Sequence, residues 1–300
     1  MLLTAFTAAL IATPAYAVGC GQIFSDVVLT QDLVCPVNAF VVVGNNITIN
    51  LNGHTLSCTG PNCGITDYIL NSVAITSDGN SGLKVIGPGT IIGYTNGIHI
   101  GGGTNNTVSG VTITGNGDNG IEIVSVGSAL CGTQIVNILN PPPPNFTLTG
   151  NQVSKQAHGI SIANGYCGSI YNNILADNGT PASNSDNGIY LTGDYNNIYQ
   201  NSVAHNGNND LPYHVGNGIS ITGNSNRVTA NYLTAQIGNG IVVKGVGNTI
   251  SSNTVRFSGI DVGGFDLVSA PGSGSNHWNA NNICNTQSGS IPLGVCHVGE

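Results

Sequence analysis

Residues 217–234 read Asn217-Gly218-Ile219-Ser220-Ile221-Thr222-Gly223-Asn224-Ser225-Asn226-Arg227-Val228-Thr229-Ala230-Asn231-Tyr232-Leu233-Thr234. Ile219 and Ile221 alternate with polar residues, the period of a strand buried on one side. Gly223, Asn224 and Asn226 then supply turn chemistry, because Gly and Asn tolerate left-handed backbone. Val228, Asn231 and Leu233 follow as a second pattern, apolar-x-x-Asn-x-apolar. From Gly218 to Gly240, 22 residues on, the series starts again as Gly240-Ile241-Val242-Val243.

The same Gly-Ile-x-apolar unit opens at Gly97, Gly120, Gly159, Gly188 and Gly259, and the Asn pattern recurs as Leu148/Asn151/Val153, Ile170/Asn173/Leu175, Ile198/Asn201/Val203, Ile250/Asn253/Val255 and Trp278/Asn281/Ile283. No strand here is long enough to bury a face alone, so burial must come from stacking one repeat on the next. The expectation is an all-β fold, a right-handed parallel β-helix (β-solenoid) of about ten rungs and roughly 50 Å at about 4.8 Å per rung. The Ile positions fill its interior, and the Asn column forms an internal ladder. Val111 stands where Asn is due in the rung Val108/Val111/Ile113, so the ladder starts late.

Composition agrees. The 300 residues include 44 Gly, are 40% apolar and only 6% charged, a balance that suits a folded, turn-rich β protein rather than a helical or disordered one. Five Lys and Arg against 13 Asp and Glu leave no basic stripe for phosphates, so nucleic acid is not an expected partner. Residues 1–17 are small and apolar and end Ala15-Tyr16-Ala17, the form of a signal peptide, with residues 18–300 as a single β-helix domain. The eight cysteines suit an oxidising compartment, and pairing nearest neighbours would clip the start, two internal loops and the end.

The N-terminal run Cys20-Gly21, Leu29-Thr30, Asp32-Leu33, Cys35-Pro36 and Asn46-Ile47-Thr48-Ile49-Asn50-Leu51-Asn52-Gly53-His54-Thr55-Leu56, followed by Val85-Ile86-Gly87-Pro88-Gly89-Thr90-Ile91, resembles the secreted parallel β-helix repeat proteins of the pectin-lyase-like superfold. The resemblance spans roughly residues 20–290. It implies the fold and not the function, because this scaffold carries lyases, hydrolases, epimerases, adhesins and fibre parts.

The outward column, the x of Gly-Ile-x-apolar, reads His99, Glu122, Ser161, Tyr190, Ser220, Val242 and Asp261. Loops Asp177–Asn187 and His205–Asn217 leave the same corner of successive rungs and should wall a groove over Tyr190 and Ser220. The candidate catalytic residues are therefore Tyr190, with His205 or His214 as its acid/base partner, and Asp186 and Asp210. No cofactor is expected, although Asp186 and Asp210 would hold Ca²⁺ over a substrate carboxylate in a lyase. Arg227 or Lys244 would assist as cations, and a hydrolase would use the two Asp as its carboxylate pair. The paired-Asp and Arg-x-Lys signatures of pectin hydrolases and the Arg and Asp cluster of pectate lyases are absent. The low charge and outward tyrosines (Tyr171, Tyr195, Tyr199, Tyr232) favour an extracellular glycan-binding, adhesive or self-associating protein, with a polysaccharide lyase or epimerase acting on acidic polysaccharide as the alternative. An enzyme requires the five candidate residues to converge; a rod leaves them scattered.

Overall fold

The computed structural model describes residues 19–61, 63–64, 72–125, 144–179, 186–207, 216–259 and 263–297. They coil into three all-parallel sheets; each sheet takes every third strand of the chain until the last coil, which adds a strand to sheets A and C and none to sheet B. Sheet A has 11 strands, from Gly21–Ile23 to Gln287–Ser288; sheet B has 10, from Val27–Val28 to His277–Trp278; sheet C has 11, from Leu33–Cys35 to Cys296–His297. No helix occurs among the described residues.

The interior is built from the alternation. In sheet A, Ile98, Ile121, Ile160, Ile189, Ile219, Ile241 and Leu267 align in register, and all are fully buried. Val108, Leu148, Ile170, Ile198, Val228 and Ile250 do the same in sheet B, and Ile113, Val153, Leu175, Val203 and Leu233 in sheet C. Each such side chain contributes about 1.5–3 kcal/mol by leaving water.

The corners are amide ladders. Between sheets B and C the ladder runs Asn151, Asn173, Asn201, Asn231, Asn253 and Asn282, each Nδ2 donating to the next Oδ1 at 2.9–3.1 Å. It starts late as expected, since the Val111 N–H donates to Asn151 Oδ1 at 3.1 Å. Its last member is Asn282 rather than Asn281: one extra residue after Trp278 slips the rung, and Asn281 is left exposed. Further ladders occupy the other corners, Asn196–Asn226–Asn248–Asn276 between sheets A and B and Asn178–Asn206–Gln236 between C and A. At the A–B corner glycine is obligatory at Gly193 and Gly223, where φ is +133° and +157° and a Cβ would strike the carbonyl oxygens of Gly165 and Gly193.

A second register change concerns the seventh Gly-Ile unit. Val242 pairs with Val268, so Leu267–Ser269 supplies the next sheet A strand. Residues 260–262, Asp261 included, lie outside the described residues. Disulfides join Cys20–Cys35, Cys58–Cys63 and Cys284–Cys296; Cys167 is bonded to a residue outside the described ones.

Candidate active site

Stacking places Thr76, His99, Glu122, Ser161, Tyr190, Ser220, Val242 and Val268 side by side on the outside of sheet A. Ionisable side chains gather on the first half of that row. His99 Nδ1 lies 2.7 Å from Glu122 Oε2, and its Nε2 lies 3.3 Å from Asp78 Oδ1, so each ring nitrogen faces a carboxylate. Hydrogen bonding to Glu122 raises the His99 pKa above its ordinary value; burial opposes this, and the charges of Glu122 and Asp78 add to it. The Asn96 amide donates to the same Glu122 oxygen at 3.3 Å.

Asp118 stands in the turn ahead of the strand Asn119–Val124, and its Oδ2 accepts from Asn119 Nδ2 at 3.0 Å. Burial raises its pKa first, and the negative charges of Glu122 and Asp186 raise it further. Protonation is thereby favoured at Asp118 beside a carboxylate, Glu122, that is tied to His99.

His158 opens the next strand, His158–Ala163, and its ring stacks on Tyr190 at 5.9 Å between centroids and 25° between planes. Burial lowers its pKa to about 4, with Glu122 acting in the opposite sense. The Asn187 backbone N–H donates to His158 Nδ1 at 3.1 Å, so the neutral ring carries its proton on Nε2. His158 is thus an uncharged ring on the rung before Tyr190, with Nε2–H as its donor. Asp186, 1% exposed, precedes Asn187 at this entrance to the sheet.

The sequence candidates divide. Tyr190 and Asp186 lie in this patch. His205 sits at the corner between sheets C and A in left-handed backbone (φ 49°), exposed, with Nδ1 3.8 Å from Asp177 Oδ1 of the preceding rung. Asp210 and His214 lie outside the described residues, as do residues 180–185 and 208–215 of the two loops. Their described bases are stacked: Asn178 Nδ2 donates to Asn206 Oδ1 at 2.8 Å, and Asn217 Nδ2 donates to Asn187 Oδ1 at 3.1 Å. The loops therefore leave and return on successive rungs.

Sequence reading passed over Asp118 and His158, although the repeats carry a signal for both. Aligned at Gly-Ile, the preceding position reads Asn96, Asn119, His158, Asn187, Asn217, Asn239, and the one before it Thr95, Asp118, Ala157, Asp186, Gly216, Gly238. His158 interrupts an Asn column, and its Nδ1 accepts from Asn187 just as Asn187 Oδ1 accepts from Asn217 and Asn217 Oδ1 from Asn239. The departures from the repeat mark the site. Among the described residues no group of three or more His, Cys, Asp or Glu side chains is arranged to hold a metal ion.

No protein-family model and no curated protein matches the chain. Solved structures do. An alginate lyase from Paenibacillus sp. str. FPU-7 superposes with a TM-score of 0.59 at 13% identity, over 88% of this chain and 92% of that one. A DFA-IIIase from Arthrobacter chlorophenolicus A6 gives 0.47 at 14% identity, over 88% and 82% of the two chains, and a polygalacturonase from Erwinia carotovora ssp. carotovora 0.37 at 12%, over 90% and 89%. At these identities the likeness is one of fold, carried by the first. With its three parallel sheets and one coil, the chain is a right-handed parallel β-helix of the pectin-lyase-like fold.

Proposed function

We propose that the chain is an extracellular enzyme that cleaves a polysaccharide by acid–base chemistry on sheet A. One observation carries this: Asp118, a half-buried carboxyl whose pKa is raised by burial and by neighbouring negative charge, stands in electrostatic reach of a second carboxylate, Glu122, which His99 anchors at 2.7 Å. Asp118 donates a proton to the glycosidic oxygen, while Glu122 takes one from water or attacks the sugar. His99 orients Glu122, and the Nε2–H of His158 binds a substrate oxygen without adding charge. A purely structural rod gives no reason for the breaks in the repeat to gather on adjoining rungs. The disulfides support an oxidising, extracellular setting.

Elimination or epimerisation at a uronate is the second reading, favoured by the stacked His158–Tyr190 pair. There the Tyr190 phenol exchanges the proton next to the uronate carboxyl, and the neighbouring donors neutralise that carboxylate.

The test is a panel of acidic and neutral polysaccharides, with and without Ca²⁺, followed for both new reducing ends and the ultraviolet absorbance of unsaturated uronates. Products that disappear in Asp118→Asn and Glu122→Gln support cleavage at this patch, and unsaturated products lost in Tyr190→Phe select elimination. No product on any polymer refutes the enzyme reading and returns the chain to glycan binding alone.

A further inference from the structure

Sheet B carries a second break in the repeat, away from the row of ionisable groups. One outward column of this sheet reads Ser109, Thr149, Tyr171, Tyr199, Thr229, Ser251 in register, so two aromatic residues interrupt a run of small hydroxyl side chains. The rings of Tyr171 and Tyr199 stack face to face, 4.7 Å apart and 7° from parallel. That distance is the spacing of the rungs themselves, so the rings stand like plates across the rod axis. The core column behind them, Ile170 and Ile198, is already fully buried, and the adjoining rungs on either side, Ser109 and Thr149 before and Thr229 and Ser251 after, carry small hydroxyl residues here, whereas the earlier rungs carry Ile86, Asn50 and Val28.

Each ring has one face against its partner and keeps part of its surface exposed. On the strands beyond, the small side chains of Thr149 and Thr229 stand in register with the two rings. The neighbouring outward column reads Thr147, Ser169, Asn197, Arg227, Thr249, with Asn197 and Arg227 both exposed. Arg227 is one of only five basic residues in the chain, and it shares a strand with Thr229, the residue in register with Tyr199. A flat aromatic face next to amide, hydroxyl and guanidinium donors matches a sugar ring bearing a carboxylate: its C–H face packs on the phenol, and the guanidinium meets the carboxylate in a forked geometry.

We infer that this face of sheet B is a second, non-catalytic binding surface for an acidic polysaccharide, with Tyr199 and Tyr171 as stacking plates and Arg227 as the carboxylate partner. It holds the polymer while cleavage takes place on sheet A, and it stands whether or not that cleavage is demonstrated.

Gel retardation in polygalacturonate, alginate and neutral dextran tests this, with Glu122→Gln as the parent so that the polymer persists. The parent is expected to be slowed in the two polyuronate gels and not in dextran, and Tyr199→Ala or Arg227→Glu in that background weakens retention by about tenfold, the size of one lost aromatic or charged contact. Arg227 is exposed, so its reversal leaves the fold intact and keeps the test open should the Tyr variant unfold. Retention of Arg227→Glu equal to the parent overturns the inference, as does a parent that migrates freely in polyuronate or is slowed equally in dextran.

Discussion

Asn201 is the rung at which the amide ladder can be tested most directly. Its Oδ1 accepts from Asn173 N at 3.1 Å and from Asn173 Nδ2 at 3.0 Å, while its own Nδ2 donates to Asn231 Oδ1 at 2.9 Å, Ile170 O at 2.9 Å and Tyr199 O at 3.1 Å. Asn201→Ala removes all of these from a site 1% exposed. The Asn173 amide group keeps Leu148 O and Tyr171 O, and Asn231 Oδ1 keeps the Asn201 backbone N–H. The Asn173 backbone N–H has no such substitute. One orphaned buried donor costs about 1–3 kcal/mol, and two carbonyls that each lose a donor bring the total to about 3–5 kcal/mol. Asn201→Asp restores the acceptor but buries a charge and cannot donate, so it is expected to be worse. Equilibrium unfolding in guanidinium measures the loss, with Asn281→Ala as control: that residue is exposed outside the ladder, and its replacement gives up only exposed bonds to Ser252 N and Oγ, at a cost of about 0.5–1 kcal/mol. An Asn201→Ala variant that loses under about 1 kcal/mol, or no more than Asn281→Ala, would show that the coil rests on its apolar stack and that the ladder is incidental.

The site supports further tests. His158→Asn restores the residue the repeat uses there, so its unfolding midpoint at pH 7 is expected to match or exceed the parent's while turnover falls; a stable, fully active variant removes His158 from the chemistry. Between pH 6.5 and about 4 the unfolded chain binds a proton at His158 that the folded chain does not, so stability declines as pH is lowered through that window, by up to about 3 kcal/mol for this group. His158→Gln should remove that share of the slope, and denaturation series at pH 7 and 4.5 read it. His99 acts in the opposite direction: its raised pKa contributes stability that is complete below the ordinary 6.5 and is lost as pH rises through the folded value, which His99→Gln abolishes. Asp118→Asn should cut turnover by about 10²–10⁴ and erase the alkaline limb of the pH–rate profile, since the reactive form of Asp118 is protonated. An alkaline limb that survives the substitution assigns the acid to another group.

The coil itself was legible in the chain because every contact that defines it is local and repeated. Ile219 and Ile221 must face one side, Asn231 must sit at the next corner, and stacking is the one arrangement that buries such short strands. Rung membership at the C-terminal end was not legible: Gly259-Ile260 copies the repeat, yet Leu267–Ser269 takes its place, and Asn282 displaces Asn281. A parallel stack tolerates extra residues at its corners, so backbone pairing and not motif spacing decides which residue enters the ladder. The site depended on tertiary structure more strongly still. His99, Glu122, His158 and Tyr190 are spread over 92 positions of sequence, and only the coil sets them on four successive strands. The protonation preferences of Asp118 and His158 arise from burial and from charges on neighbouring rungs, quantities that no stretch of sequence contains. Periodicity, a property of the sequence alone, determined the scaffold; proximity across rungs, which exists only once the chain is stacked, decided which ionisable side chains meet on its surface.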